Sequence, residues 1–388
     1  MAEKKVRIGI VGTGNMGSAH ARAIQEGKIP GAELTAVHSL EPEGLERFAP
    51  AEIFDDHTRL LDSGLADAVI IATPHYQHTT IGIEALKKGF HVLVEKPISV
   101  HKADAEKLVA AAKPRRKQVF AAMFNQRTDP HYIKLRELIR SGELGELVRV
   151  NWIITSWFRS QAYYDSGGWR ATWAGEGGGV LMNQCPHQLD LLQWLCGMPR
   201  RVRAFCHLGK FHDIEVEDEV TAYLEYPNGA TGVFITSTGE APGTNRLEIA
   251  GTRGKVVAEG KSGLTFTRNE IPADVYCRET DNKFGRPPVW NVEIPVAGHG
   301  GQHVEVLNNF VDAIRKGTPL IAPAVEGIHS VELDNAMMLS SLTGKTVELP
   351  LNPASFTRKL NQLIAASRPR RKKPARKAGV TDMSKSFA

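Results

Sequence analysis

His91 to Ser99 reads HVLVEKPIS. Val92, Leu93 and Val94 form the short, wholly apolar run of a strand covered on both faces, which predicts a parallel sheet. The run stops at Glu95-Lys96-Pro97, two charges and a ring without the N–H that a sheet ladder needs. Ligands of open parallel sheets gather beyond the carboxyl ends of the strands, so Lys96 is expected to face a ligand site. The Lys96–Pro97 bond is one of the few that can be cis at modest cost.

Upstream the same rhythm repeats. Val6–Val11 is an apolar strand that runs into Gly12-Thr13-Gly14-Asn15-Met16-Gly17, and Ser18–Glu26 follows as a helix. In such a unit the first glycine makes a tight turn, the second lets backbone approach a pyrophosphate, and the third lets helix pack on strand. The helix N-terminus then faces the phosphate, with Asn15 and Met16 in the same turn. Leu34–His38 is the next strand. The position expected to bond the adenosine ribose is Ser39, which has neither an acid there nor an arginine beside it. NAD is therefore favoured, for want of a cation to meet a 2′-phosphate, without excluding NADP. Asp67–Ala72 is a third buried strand ending at Thr73-Pro74-His75, and Ile81–Lys88 is helical, stopped by Gly89. Lys102–Ala112 and Val119–Phe124 add a helix and a strand. Strand–helix alternation over residues 1–125 predicts a Rossmann, doubly wound NAD(P)-binding domain.

Beyond Asn125 the texture changes. Tyr132–Arg140, Gly179–Cys196 and Val304–Lys316 read as helices. Leu147–Ile154, Val202–His207, Val220–Tyr226, Gly232–Thr238, Leu247–Ala250 and Lys255–Ala258 read as strands. Pro227-Asn228-Gly229 and Gly251-Thr252-Arg253-Gly254 are hairpin turns. They predict a second α/β domain over 126–357 with a large, mostly antiparallel open sheet. Arg368–Lys377, RPRRKKPARK, has no apolar partner and predicts a disordered basic tail over 368–388.

The chain has 388 residues, 42% hydrophobic and 23% charged, a composition of soluble globular domains. Its net charge of +5 is misleading, because residues 357–388 hold ten basic residues and one acid. The folded body is slightly acidic, which excludes a nucleic-acid-binding body. The four cysteines show no paired spacing, so free thiols and no metal site are expected. No run approaches the ~20 apolar residues of a membrane span, and the start lacks signal-peptide architecture. A cytoplasmic protein is expected.

The second dense constellation is GGGVLMNQCPHQLD, Gly177–Asp190. Asn183 and His187 are four apart, so on one helix both project from the same face, with Pro186 a possible kink. Asp190 is spaced to brace the histidine or pair with a neighbour. The glycine triplet lets the helix N-terminus approach another backbone or a ligand closely.

With these motifs the chain resembles the Gfo/Idh/MocA family, named for glucose–fructose oxidoreductase and inositol dehydrogenase. The resemblance rests on GTGNMG at Gly12–Gly17, TPHYQH at Thr73–His78, EKP at Glu95–Pro97, GGGVLMNQCPHQLD, and NFVDAIRKGTPLIAP at Asn309–Pro323. It implies a nicotinamide at the seam of two domains, near Thr73, Pro74, His78, Glu95, Lys96 and Asn125, and a homodimer or homotetramer formed through the C-terminal sheet. It also implies oxidation of a secondary alcohol of a sugar, glycoside or cyclitol, with Lys96 and His187 at the catalytic positions. Where the family commonly has Asp, this chain has Asn183, which leaves proton handling to His187 and makes Asn183 an orienter of substrate.

The chemistry agrees. Oxidising an alcohol needs a base for the hydroxyl proton, which neutral imidazole suits, and an ammonium at Lys96 stabilises the developing alkoxide. Trp169 and Arg170 are expected on the cofactor, and Arg159 and Tyr163 on the substrate, where flat faces and short polar groups suit a sugar ring. His303 is a weaker candidate for the same pocket. Two other functions fit the family: redox-assisted glycoside cleavage, and a non-catalytic regulator, against which the presence of both Lys96 and His187 argues.

Overall fold

The structure, a computed structural model, describes residues 4–41, 43–115, 117–260, 263–296 and 298–367. The tail expected to be disordered lies outside them. The first unit comprises β1 (Val6–Val11), α1 (Asn15–Gln25), β2 (Ala32–His38), β3 (Glu52–Phe54), α2 (His57–Asp62), β4 (Ala68–Ile71), α3 (His75–Lys88), β5 (His91–Val94), α4 (Lys102–Ala112) and β6 (Phe120–Ala122). Its six strands lie in the order β3-β2-β1-β4-β5-β6, every neighbouring pair parallel. Strand order reverses between β1 and β4, and the switch point falls at the carboxyl ends that carry Gly12 and Thr73. Every residue of β4 is buried, as the apolar runs predict for a sheet covered on both faces.

The second unit begins with α5 (Pro130–Arg140), β7 (Leu147–Ile154), α6 (Gln161–Asp165), α7 (Val180–Asn183) and α8 (Pro186–Cys196). It continues with β8 (Arg201–Leu208), β9 (Glu217–Glu225), β10 (Thr231–Ser237), β11 (Asn245–Gly251), β12 (Gly254–Glu259) and β13 (Leu264–Asn269). After them come α9 (Ala273–Glu279), β14 (Val289–Ile294), α10 (Gln302–Lys316), α11 (Ile328–Thr343), β15 (Val347–Glu348) and α12 (Pro353–Ala366). Nine strands form one sheet in the order β14-β13-β12-β11-β7-β10-β9-β8-β15. Only β10 and β7 run parallel; the other neighbours are antiparallel. The inner face packs Trp152, Ala222, Phe234 and Ile249 against Leu135 of α5, Leu189 of α8 and Met337 of α11.

Three features depart from the sequence expectations. The helix expected over Gly179–Cys196 is two helices, broken at Gln184-Cys185. Pro186 has no N–H and takes the first position of α8, where that loss costs nothing. Asn183 and His187 are therefore not on one helical face. The 16-residue α11 was not anticipated. Ser330, Glu332, Asp334 and Asn335 are buried alongside its apolar residues, so it shows no amphipathic stripe to read. Strands β3, β13 and β14 and helix α12 were also unread.

The division expected at residue 125 falls after β6, yet the chain returns to the first sheet. Val306, Leu307, Phe310 and Val311 of α10 pack with Val6, Ile8 and Ile10 of β1. Ala322 extends the β6 edge by accepting from the Ala122 N–H at 3.0 Å. Helix α11 joins the two units, its Glu332 pairing with buried Lys102 of α4 at 2.8 Å.

Candidate active site

The glycine turn is built as its spacing predicts. Gly12 has φ +93°, and a Cβ there would lie 2.8 Å from the Ala72 carbonyl oxygen. At Gly17 a Cβ would stand 1.9 Å from the Gly12 oxygen, so only glycine lets α1 pack this closely on the turn. Gly14 meets nothing within 4 Å. It is the N-cap of α1 and carries no side chain to cover the helix N-terminus, the end of a helix at which phosphates are commonly held. Ser39 follows β2, and its hydroxyl accepts from the Glu41 N–H at 3.1 Å. Among buried polar atoms, Thr73 Oγ1, Asn125 Oδ1 and His187 Nδ1 have no partner. A dinucleotide fits these residues: Gly12–Gly17 would hold its phosphates and Thr73 and Asn125 its nicotinamide half.

The Glu95-Lys96-Pro97 turn, whose Lys96–Pro97 bond is cis, is the hub. Lys96 Nζ donates to the main-chain oxygen of Asn183 at 2.8 Å, tying the first unit to α7. Burial lowers Lys96 from its usual value, against the opposing pull of Glu95 and Glu176. Glu95 pairs with His20 of α1 at 2.7 Å, both side chains buried. Burial alone would raise the Glu95 carboxyl, but the hydrogen bond and charge of His20, with His303 and Lys96, hold it at about 2. The His20 and His303 rings lie 5.9 Å apart. Burial pushes His303 down to about 4.

His187 is 3% exposed. Burial holds its imidazole well below the usual value, with Lys96 and His303 adding to the effect against Glu95. The ring is uncharged near neutral pH. Asp190 does not brace it. That carboxylate accepts from Arg127 Nε at 2.7 Å and Nη2 at 2.6 Å. The glycine triplet approaches backbone: a Cβ on Gly179 would lie 1.9 Å from the Glu217 carbonyl oxygen. The Glu217 carboxylate accepts from the Gly179 N–H at 2.9 Å and the Leu181 N–H at 3.0 Å, so the start of α7 is already capped.

The remaining expected residues fall into two groups. His78 is wedged between the carbonyls of Thr73 and Pro97, each 2.7 Å from a ring nitrogen, and braces the two strand ends. Pro74 caps α3. Tyr163, Trp169 and Arg170 gather around the loop before α7. Arg170 donates to the Tyr163 hydroxyl at 2.7 Å and lies over both rings, while Arg159 stands 5.3 Å from the Tyr163 ring centroid. The Trp169 ring meets His75 edge-on.

A cavity of about 1050 Å³ opens beside this hub, lined by Met16, His20, Asn125, Gln126, Gln188 and His303 with Trp157 and Asn245 of the large sheet's side. Lys96, Asn183, His187, Arg159 and Tyr163 are not among its lining residues. Sequence reading missed His20, Gln126, Gln188 and Glu176. None carries a local signal, since each acquires its role from a residue distant in the chain. Among the described residues no His/Cys/Asp/Glu group could hold a metal ion, and no helix is long and apolar enough to cross a membrane.

Comparison with known proteins gives a consistent picture. Residues 6–123 match the model for an oxidoreductase family with an NAD-binding Rossmann fold, and residues 132–257 match the GFO/IDH/MocA C-terminal domain. Inositol 2-dehydrogenase of Rhizobium meliloti is 27% identical over 346 residues, covering 86% of this chain and 96% of that one. The WlbA dehydrogenase from Bordetella pertussis, solved with NADH and UDP-GlcNAcA, is 27% identical with a TM-score of 0.74, covering 90% of this chain and 100% of that one. A levoglucosan dehydrogenase, solved with NADH and levoglucosan, shares the fold at 22% identity and a TM-score of 0.75, covering 89% of this chain and 100% of that one.

Proposed function

The chain belongs to the GFO/IDH/MocA oxidoreductase family, and from that premise we propose that it oxidises a ring hydroxyl of a sugar, glycoside or cyclitol with NAD. Gly12–Gly17, Thr73 and Asn125 would hold NAD, which would supply the acceptor for the hydride of the carbinol carbon. The chain's residues do the rest. His187 takes the hydroxyl proton, Lys96 stabilises the developing alkoxide, and Asn183 orients the substrate. The adjoining cavity takes the remainder of the sugar. The observation that carries this reading is the 2.8 Å bond from Lys96 to the main chain of Asn183, which brings a half-buried cation of one unit to the helix pair that bears His187 in the other.

The test is NADH formation, read by absorbance, on a panel of cyclitols, anhydrosugars and nucleotide-linked sugars. Turnover on at least one is expected. No turnover on any, with NAD bound, would overturn the reading.

We also place a second copy of the chain on the outer face of the nine-stranded sheet, where Phe205, Tyr223, Val233, Ile235, Ile153 and Val257 are at most partly covered. Tyr223→Lys should then lower the sedimenting mass, and an unchanged mass would exclude this face. The four free cysteines suit a reducing compartment, and we place the protein in the cytoplasm.

A further inference from the structure

Lys96 is a half-buried ammonium that needs a countercharge. The nearest carboxylate in sequence, Glu95, is committed to His20 at 2.7 Å. The other one facing Lys96 is Glu176, in the loop just before α7 and 1% exposed. That loop is built to aim it inward. A Cβ on Gly175 would lie 2.3 Å from the Trp169 carbonyl oxygen, and Gly177 has φ +86°. Glu176 Oε2 accepts from the Ala171 N–H at 2.6 Å. Its Oε1 accepts from Asn183 Nδ2 and lies 3.8 Å from Arg170 Nη1.

An ionised carboxylate can only accept, so it settles which end of the Asn183 amide faces it. Nδ2 is committed and Oδ1 is the atom left for a ligand. Asn183 is thus held at both ends, its main-chain oxygen on Lys96 and its amide on Glu176. We propose that Glu176 is a positioning residue of the dehydrogenase site: it fixes Asn183 with Oδ1 as the acceptor offered to a substrate hydroxyl, and beside Glu95 it is a second countercharge to the Lys96 ammonium. The inference rests on the dehydrogenase reading above.

The sign of the effect follows from the surroundings. Burial lowers Lys96; Glu95, Glu176 and, more weakly, Cys185 raise it; Arg170 lowers it. His187 of α8, His75 and His78 of α3 and His303 of α10 face it as well. Glu176 itself is raised by burial and lowered by Arg170, Asn183 and Lys96, with Tyr163, Tyr164 and Glu217 around it. Removing its charge lets Lys96 lose its proton at lower pH, so the alkaline limb of turnover moves down.

The test uses Glu176→Gln, which keeps size and one acceptor oxygen, and Glu176→Gln/Asn183→Asp, which returns a carboxylate one hydrogen bond away. In Glu176→Gln, kcat should fall about tenfold at the alkaline side and KM for the sugar should rise about tenfold, the scale of one lost oriented hydrogen bond. NADH affinity should stay unchanged, which shows an intact fold. The double variant should recover the alkaline limb. Independently of turnover, the Lys96 Nζ signal in ¹⁵N-lysine-labelled protein, assigned with Lys96→Met, should titrate at lower pH in Glu176→Gln and return in the double variant. An unshifted Nζ titration, or no recovery in the double variant, overturns the proposal. Absence of turnover in the parent enzyme would instead count against the dehydrogenase reading, and the Nζ titration would still decide the role of Glu176.

Discussion

Arg127 grips Asp190 through two hydrogen bonds, of 2.7 and 2.6 Å, with both side chains 1% exposed. The pair joins the turn that carries Asn125 to the helix that carries His187, and Glu326 closes it from a third side. Losing one partner strands a buried charge. Arg127→Met should therefore destabilise the fold by about 3–5 kcal/mol. Urea unfolding checks it: Arg127→Met/Asp190→Leu should recover most of that loss, and equal midpoints for the parent and the single variant would contradict it.

The glycine turn makes two opposite forecasts. Gly14 has φ −64° and open space around its α-carbon, so Gly14→Val should fold normally and lose NADH binding, because the side chain occupies the phosphate cradle. Gly17→Ala should instead disturb the fold, since its Cβ would stand 1.9 Å from the Gly12 oxygen. Fluorescence titration with NADH beside a thermal melt separates the two; retained affinity in Gly14→Val would remove the turn from the cofactor site.

For the chemical step, His187→Ala should lower turnover by about 10²–10⁴-fold, the range for losing a positioned acid–base group. Lys96→Ala should lower it by about 10²–10³-fold through lost electrostatic stabilisation. Cofactor affinity should survive in the His187 variant. Steady-state kinetics on whichever sugar the parent accepts decides this, and near-normal turnover in both variants would refute the assignment.

The acid limb of the pH–rate profile should lie below pH ~6.5, the ordinary histidine value. Burial, Lys96 and His303 depress His187, and a base acts while unprotonated, so activity persists as pH falls and is lost only through the depressed value. A limb at or above that value would show that another group carries the proton.

Much of this could be read locally. The apolar runs of β1, β4 and β5, the glycine turn, and Gly89 and Gly317 closing α3 and α10 each follow from short-range requirements: side-chain period, a positive φ, a missing Cβ or a missing N–H. Lys96 and His187 were legible because each sits in a short patterned stretch. By itself the sequence thus determined the first unit, the mostly antiparallel second one, and the two stretches that carry the residues we propose as a catalytic pair. Packing decided what those residues touch. His20 meets Glu95 across 75 residues of chain and Lys96 meets Asn183 across 87. Asp190 chose Arg127 across 63 rather than the histidine three residues away. Helix α11 escaped notice because burial on all sides erases the stripe that betrays a surface helix, and Glu176 because no local pattern points a carboxylate inward. Such contacts arise only when separate elements close on one another and exclude water, which makes every buried charge find a partner wherever the fold has brought one.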